Sequence, residues 1–170
     1  MSKHKKAPRN NVIRLLEKHN VAYTAYELPA EKLGAQETAR RLNVPPERVF
    51  KTIVVTRGGR DKPILAVVSA VQEVDLKAVA RAVDEKKVTL PTQKEAERIT
   101  GLQAGGISPL ALLSRGFTVV LDASAQNADY LHISGGQRGL NIRLGVNDFV
   151  RLTRARIASI GKPSSFSPQP

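Results

Sequence analysis

The runs RVFKTIVVTR (48–57) and KPILAVVSAV (62–71) are rich in β-branched residues, and only Gly58, Gly59, Arg60 and Asp61 separate them. Two strand-forming runs joined across so short a glycine turn read as an antiparallel hairpin. A hairpin in mid-chain disfavours a purely parallel doubly wound sheet. The remaining segments alternate irregularly between helical and strand periods, which fits an α+β (mixed α/β) domain. NNVIRLLEKHN (10–20) puts Val12, Leu15, Leu16 and His19 on one helical stripe, and AYTAYEL (22–28) reads as extended. AQETARRLN (35–43) is a short helix stopped by Val44-Pro45-Pro46. DLKAVARAVDEKK (75–87) carries Leu76, Val79, Ala80 and Val83 at helical spacing behind Asp75 as a cap. A helix over about 92–99 precedes a glycine-rich stretch. FTVVLD (117–122), YLHIS (130–134) and LNIRL (140–144) read as strands, and VNDFVRLTRARI (146–157) as a C-terminal helix.

A chain of 170 residues is long enough for one domain with its own core. The expected organisation is a basic tail over 1–9, a single domain over 10–160 and a disordered Pro/Ser-rich tail over 161–170. No apolar run approaches the ~20 residues that span a bilayer, and the start leads into an amphipathic segment, so a cytoplasmic location is expected. Without cysteine the chain has no disulfide framework, no thiolate nucleophile and no Cys-type zinc site, and its three histidines are scattered. No metal or cofactor is expected. The formal charge is +12, and eight of those charges sit at the ends. Lys3, Lys5, Lys6 and Arg9 stand without an acid in residues 1–10; Arg151, Arg154, Arg156 and Lys162 do so in residues 151–170. Such ends are either solubilising or arms for a polyanion. Aromatic residues at 4% make a poor base-stacking platform, so any RNA contact would be to phosphate and shape.

TGLQAGGISPL (100–110) spends three glycines and a proline before a short apolar run. Ser108 as N-cap, Pro109 as first helical residue and Gly116 as stop would make a helix. Gly105 and Gly106 would then lie where unpaired N–H groups meet an anion, or a carbonyl oxygen becoming one. A loop that merely caps a helix explains the same residues. Neither GxxxxGK nor GxGxxG is present. In VFKTIVV, alternation puts Lys51 on one face with Val49, Ile53 and Val55, and a buried ammonium is costly without a partner or substrate. A lysine that snorkels at the sheet edge is the alternative. SGGQRGLN (134–141) is either a hairpin turn or a second surface of close approach. His132 reads as a packed strand residue, and Tyr26 carries no signal by itself.

Taken together and in this order, VFKTIVV, DLKAVARAV, TGLQAGGISPL and SGGQRGLNIRL resemble the YbaK/EbsC family, freestanding relatives of the editing domain of prolyl-tRNA synthetase. The resemblance spans about residues 10–155 and is strongest to the Cys-tRNA(Pro) deacylase branch. It implies a mixed, mostly antiparallel, barrel-like sheet with flanking helices, and removal of the wrong amino acid from tRNA. It implies a catalytic set of Lys51, Gly105, Gly106, Ile107 and Ser108. Lys51 would hold the tRNA end or the reacting ester, and the Gly105–Pro109 backbone would grip the aminoacyl carbonyl. The implied substrate-binding set is Tyr26, Thr52, Pro109, Ser134, Gly135, Arg138 and Asn141. Where the Cys-specific relatives have aspartate after RGL, this chain has Asn141, isosteric but uncharged. The implied partners are aminoacyl-tRNA(Pro) and, as an accessory, prolyl-tRNA synthetase; neither membrane nor DNA is expected. In that branch the substrate's own thiol attacks its carbonyl, which suits a protein without a cysteine.

Overall fold

The computed structural model describes residues 10–58 and 62–164. The basic segment 1–9, residues 59–61 and residues 165–170 lie outside them. From the N-terminus the chain forms α1 (Asn11–Lys18), β1 (Tyr23–Glu27), α2 (Ala35–Leu42), β2 (Phe50–Arg57), β3 (Ile64–Ser69), β4 (Gln72–Val74), α3 (Leu76–Ala82) and β5 (Val88–Thr89). There follow α4 (Gln93–Thr100), β6 (Thr118–Asp122), β7 (Tyr130–Ser134), β8 (Leu140–Gly145), α5 (Val146–Thr153), β9 (Arg156–Ala158) and β10 (Gly161–Pro163). Three helix starts are fixed by short polar side chains that accept from the first turn: Asn10 from Ile13 N–H, Asp75 from Ala78 N–H and Thr92 from Glu95 N–H.

The hairpin forms as its sequence demands, with Lys51 opposite Val68 and Val55 opposite Ile64. It lies inside a five-stranded sheet of order β5-β2-β3-β6-β9, in which β3-β6 and β6-β9 are parallel. β1-β8-β7 and β10-β4 make two antiparallel sheets. The strands are therefore mixed and mostly antiparallel, in open sheets rather than a closed barrel. A single parallel bridge, Val49 to His132, joins the start of β2 to β7. Every residue of β3 is buried, because this strand separates two cores. Leu65 and Val67 pack on one side with Leu121, Ile133 and Phe149; Ile64, Ala66 and Val68 pack on the other with Val79, Val120 and Ile160.

Three expectations change. α5 stops at Thr153, because Arg154 turns left-handed (φ 55°) and Arg156–Ala158 then pair with β6 as a strand instead of extending the helix to 157. The segment after Ser108 is two 3-10 turns, Pro109–Ala111 and Leu113–Arg115, stopped at Gly116. The tail expected from 161 begins inside the domain: Gly161–Pro163 pair with β4, and Ser164 N–H donates to Val71 O. The Asp122 carboxylate fixes this last excursion. Its Oδ1 accepts from Ile160 N–H (2.9 Å) and Gly161 N–H (2.8 Å), its Oδ2 from Ser124 N–H and Gln72 Nε2, both at 3.0 Å. Burial would raise the Asp122 pKa, but these donors overcome it and hold the carboxyl below its ordinary 3.8.

Two glycine-rich loops meet beside the hairpin. A methyl on Gly106 would lie 2.9 Å from backbone atoms of Gln137 and Arg138, so the loops touch main chain to main chain. Arg138 Nε donates to Ala104 O at 2.7 Å, and Asn10 Nδ2 to Gly135 O at 2.9 Å, tying α1 to the same seam.

Gly106→Ala is expected to cost about 1–3 kcal/mol in urea unfolding through overpacking. Gly34→Ala, where nothing lies within 4 Å of the new methyl, should be within about 1 kcal/mol of the parent. Asp122→Asn should lose about 2–3 kcal/mol near neutral pH. Because the folded-state pKa is depressed, the carboxylate's contribution is present above the ordinary value and is lost as pH falls through the folded one. The gap between parent and variant should therefore close in acid, and a gap independent of pH would refute the assignment.

Candidate active site

A cavity of about 280 Å³ opens where the start of β2, the 104–107 loop, the end of β7 and the start of β8 converge. Lys51, Thr52, Gly105, Ile107, Ser134 and Asn141 of the sequence-derived set line it. Strand register explains part of the grouping: Tyr26 on β1 pairs with Asn141 on β8, and Asn141 with Ser134 on β7, so the three share one sheet face at one level.

Lys51 projects from β2 on the face that carries Ile53 and Val55, as the alternation requires. It is half-buried and stands between this cavity and a wider recess of about 760 Å³ that Glu73, Leu76, Leu90 and Lys162 help to line. Burial pushes the Lys51 ammonium below its ordinary range, and the Glu73 carboxylate pulls it part of the way back. Beside it the Thr52 hydroxyl is buried without a hydrogen-bond partner. On the facing loop, Gly105 takes a left-handed φ of 89°. Among the described residues, the backbone N–H groups of Gly105 and Ile107 donate to no protein acceptor.

Other members of the set do different work. Gly106 N–H donates to Gln103 O at 2.8 Å, and the space its side chain would fill holds the opposite loop, so it offers no free donor. Ser108 is fully buried and its hydroxyl accepts from Leu110 N–H; Pro109 packs beneath the same turn. A three-residue 3-10 turn supplies none of the helix field expected there. Gly135 and Arg138 build the seam and do not line the cavity. The space a Gly135 side chain would need is taken by Leu140, at 2.6 Å. Tyr26 stands one strand away, its ring 5.5 Å from that of His132.

Sequence reasoning passed over the opposite wall. Leu28, Glu31, Leu33, Gly34 and Thr38, from the 28–38 segment between β1 and α2, close the cavity, with Gly139 and Leu140 at its edge. Glu31 is the one carboxylate in the lining, and it pairs with Arg41 at 3.7 Å. No motif marks this segment; its signal is only an irregular stretch with apolar residues at 28 and 33. His132, expected to be a packed strand residue, is 1% exposed, and its Nδ1 lies 3.2 Å from Asn141 Oδ1.

Comparison with known proteins identifies the family. The profile of the aminoacyl-tRNA editing domain matches residues 30–152. A protein of Enterococcus faecalis (strain ATCC 700802 / V583), bearing the inferred name Cys-tRNA(Pro)/Cys-tRNA(Cys) deacylase EbsC, is 35% identical over 162 residues, 94% of this chain and 98% of its own. A proline–tRNA ligase of Limosilactobacillus reuteri (strain DSM 20016) is 26% identical over 166 residues, 87% of this chain but only 29% of the ligase. Among solved structures, one described as a trans-editing enzyme for prolyl tRNA synthetase superposes with a TM-score of 0.73 at 23% identity, covering 91% of this chain and 99% of that one. A hypothetical protein superposes at 0.80 with 19% identity, over 90% of this chain and all of the other. The chain belongs to the aminoacyl-tRNA editing domain family.

Proposed function

We propose that the protein is a trans-editing deacylase that clears Cys-tRNA(Pro), with the substrate's thiol as nucleophile. The observation that carries this reading is the half-buried Lys51 ammonium in a cavity whose facing loop has unpaired N–H groups at Gly105 and Ile107. A cation and unpaired donors in a small, partly enclosed site suit an ester carbonyl that becomes an oxyanion. The size of the cavity suits a small aminoacyl group.

In the proposed reaction the cysteinyl sulfur attacks its own ester carbonyl carbon. A C–S bond forms, the ester C–O bond breaks, and the thiol proton passes to the departing ribose oxygen of the tRNA. The products are a cyclic thiolactone and uncharged tRNA. Lys51 holds the tRNA end or the reacting ester through its charge, and Gly105 and Ile107 donate to the oxyanion. Glu31 supplies the counter-charge for the substrate ammonium. Gains of this kind come from holding the reacting atoms in an attacking pose, so no cysteine of the protein's own is required. Selection of tRNA(Pro) rests partly with prolyl-tRNA synthetase as an accessory partner.

Asn141, uncharged where the Cys-specific relatives are acidic, favours a second reading: release of another small residue such as alanine, with water as nucleophile. Amino-acid release from preformed Cys-tRNA(Pro) and Ala-tRNA(Pro) separates the two. The expected result is cysteine release with a thiolactone product. Alanine release alone supports the second reading, and release of neither overturns both in favour of a non-catalytic tRNA-binding module. Lys51→Met should lower kcat/KM by about 100-fold or more. Its melting temperature should equal or exceed the parent's, because a half-buried ammonium opposes folding. A parallel loss of stability and activity would argue that Lys51 is structural.

A further inference from the structure

Asn141 and His132 form a pair whose asymmetry matters. A carboxamide has two unlike ends, an accepting oxygen and a donating NH2, and it presents one or the other according to what holds it. The Asn141 side chain is buried and its single hydrogen bond among the described residues runs between Oδ1 and His132 Nδ1, at 3.2 Å. His132 packs against two aromatic rings. Its ring is 5.5 Å from Tyr26 and 5.8 Å from Tyr130, and its backbone bridges to Val49. Its Nε2 is buried without a partner. Only two side-chain polar atoms among the described residues are in that condition, and the other, Thr52 Oγ1, belongs to a residue of the cavity wall.

The surroundings of the imidazole favour its neutral form. Burial depresses its pKa first; the hydrogen bond to Asn141 opposes this, and the nearby Arg143 and Arg48 charges depress it further. A neutral imidazole has one N–H. With that proton on Nδ1, it donates to Asn141 Oδ1 and leaves Nε2 bare.

We propose that His132 is a positioning residue that locks the Asn141 carboxamide with its oxygen inward and its NH2 toward the cavity, so that this wall offers the aminoacyl group a neutral hydrogen-bond donor. The wall then accepts a substrate acceptor, an ester carbonyl or an uncharged amine, and does not bind an ammonium. Carboxylate oxygens are equivalent, so an aspartate at 141 would need no such lock. The kinetic consequence rests on the deacylase reading above; the orientation of the pair does not.

Two measurements test it. In full-length protein carrying His4→Gln and His19→Gln, His132 is the sole imidazole, and its nitrogen-15 shifts report its tautomer directly. The expected result near pH 7 is a neutral ring protonated on Nδ1. Protonation on Nε2 would mean that Asn141 donates inward and turns its oxygen to the cavity, and would overturn the proposal. The second is a double-mutant cycle in deacylation with the aminoacyl-tRNA that the parent turns over. His132→Phe keeps the ring packing and should lower kcat/KM about tenfold with Asn141 in place. In the Asn141→Asp background the same change should cost less than about twofold. His132→Gln, which can donate to the same oxygen, should recover most of the loss. Equal losses in both backgrounds would make His132 merely structural and refute the proposal. A parent that releases no amino acid would defeat the deacylase reading while leaving the tautomer result standing.

Discussion

The cavity depends on one backbone contact. Gly106 lies so close to Gln137 and Arg138 that no side chain can come between them, and this contact joins two loops separated by some thirty residues of sequence. Once they touch, Arg138 clamps the Ala104 carbonyl, and Asn10 draws the first helix onto the same turn. Gly105 is then held in its left-handed turn at the cavity wall, with its own N–H and that of Ile107 unspent. The glycines thus divide their labour: one permits the seam, and its neighbour turns the chain beside it.

Opposite the seam, β2 carries Lys51 and Thr52 on a strand that cannot shift. Its partner β3 is buried on both faces, so a one-residue slip would exchange the side chains of two cores at once. Asp122 closes the far side of the same sheet, gathering β4, β6 and the last strand onto one carboxylate. Glu73, the carboxylate that acts on Lys51, lies on β4. The electrostatics of the lysine are therefore tied to a hydrogen-bond cluster that never meets the cavity.

Much of this was legible in the sequence, and the gaps have physical causes. The hairpin and the five helices follow from periodicity and caps, because those segments satisfy their backbone groups locally, and β6, β7 and β8 follow from strand-forming runs long enough to read. The short strands β4, β5, β9 and β10 have two or three residues each, too few for a period, and exist only because a neighbour offers a free edge. Lys51 was readable because a cation broke an apolar face. Gly106 was readable as a place of close approach, but sequence could not say that the approaching group is the protein's own chain. Glu31 and Leu33 carry no local signal; they reach the site by the path of a loop. His132 was read for its burial, and only the diagonal across β7 and β8 reveals its bond to Asn141.

The polar groups of this cavity are few, and several are left without a hydrogen-bond partner by the protein. The lysine has its charge disfavoured by burial, the threonine hydroxyl has no partner, and two loop N–H groups point to no acceptor. In a structural site each of these would cost stability for no return. In the proposed reaction they would gain their partners late, as an ester oxygen takes up negative charge, and would favour the transition state over the ground state. The asparagine conforms to the same logic with one refinement. Asn141 lines the same cavity without adding a charge, so among the described residues the formal charges of the lining are those of Lys51 and Glu31 alone.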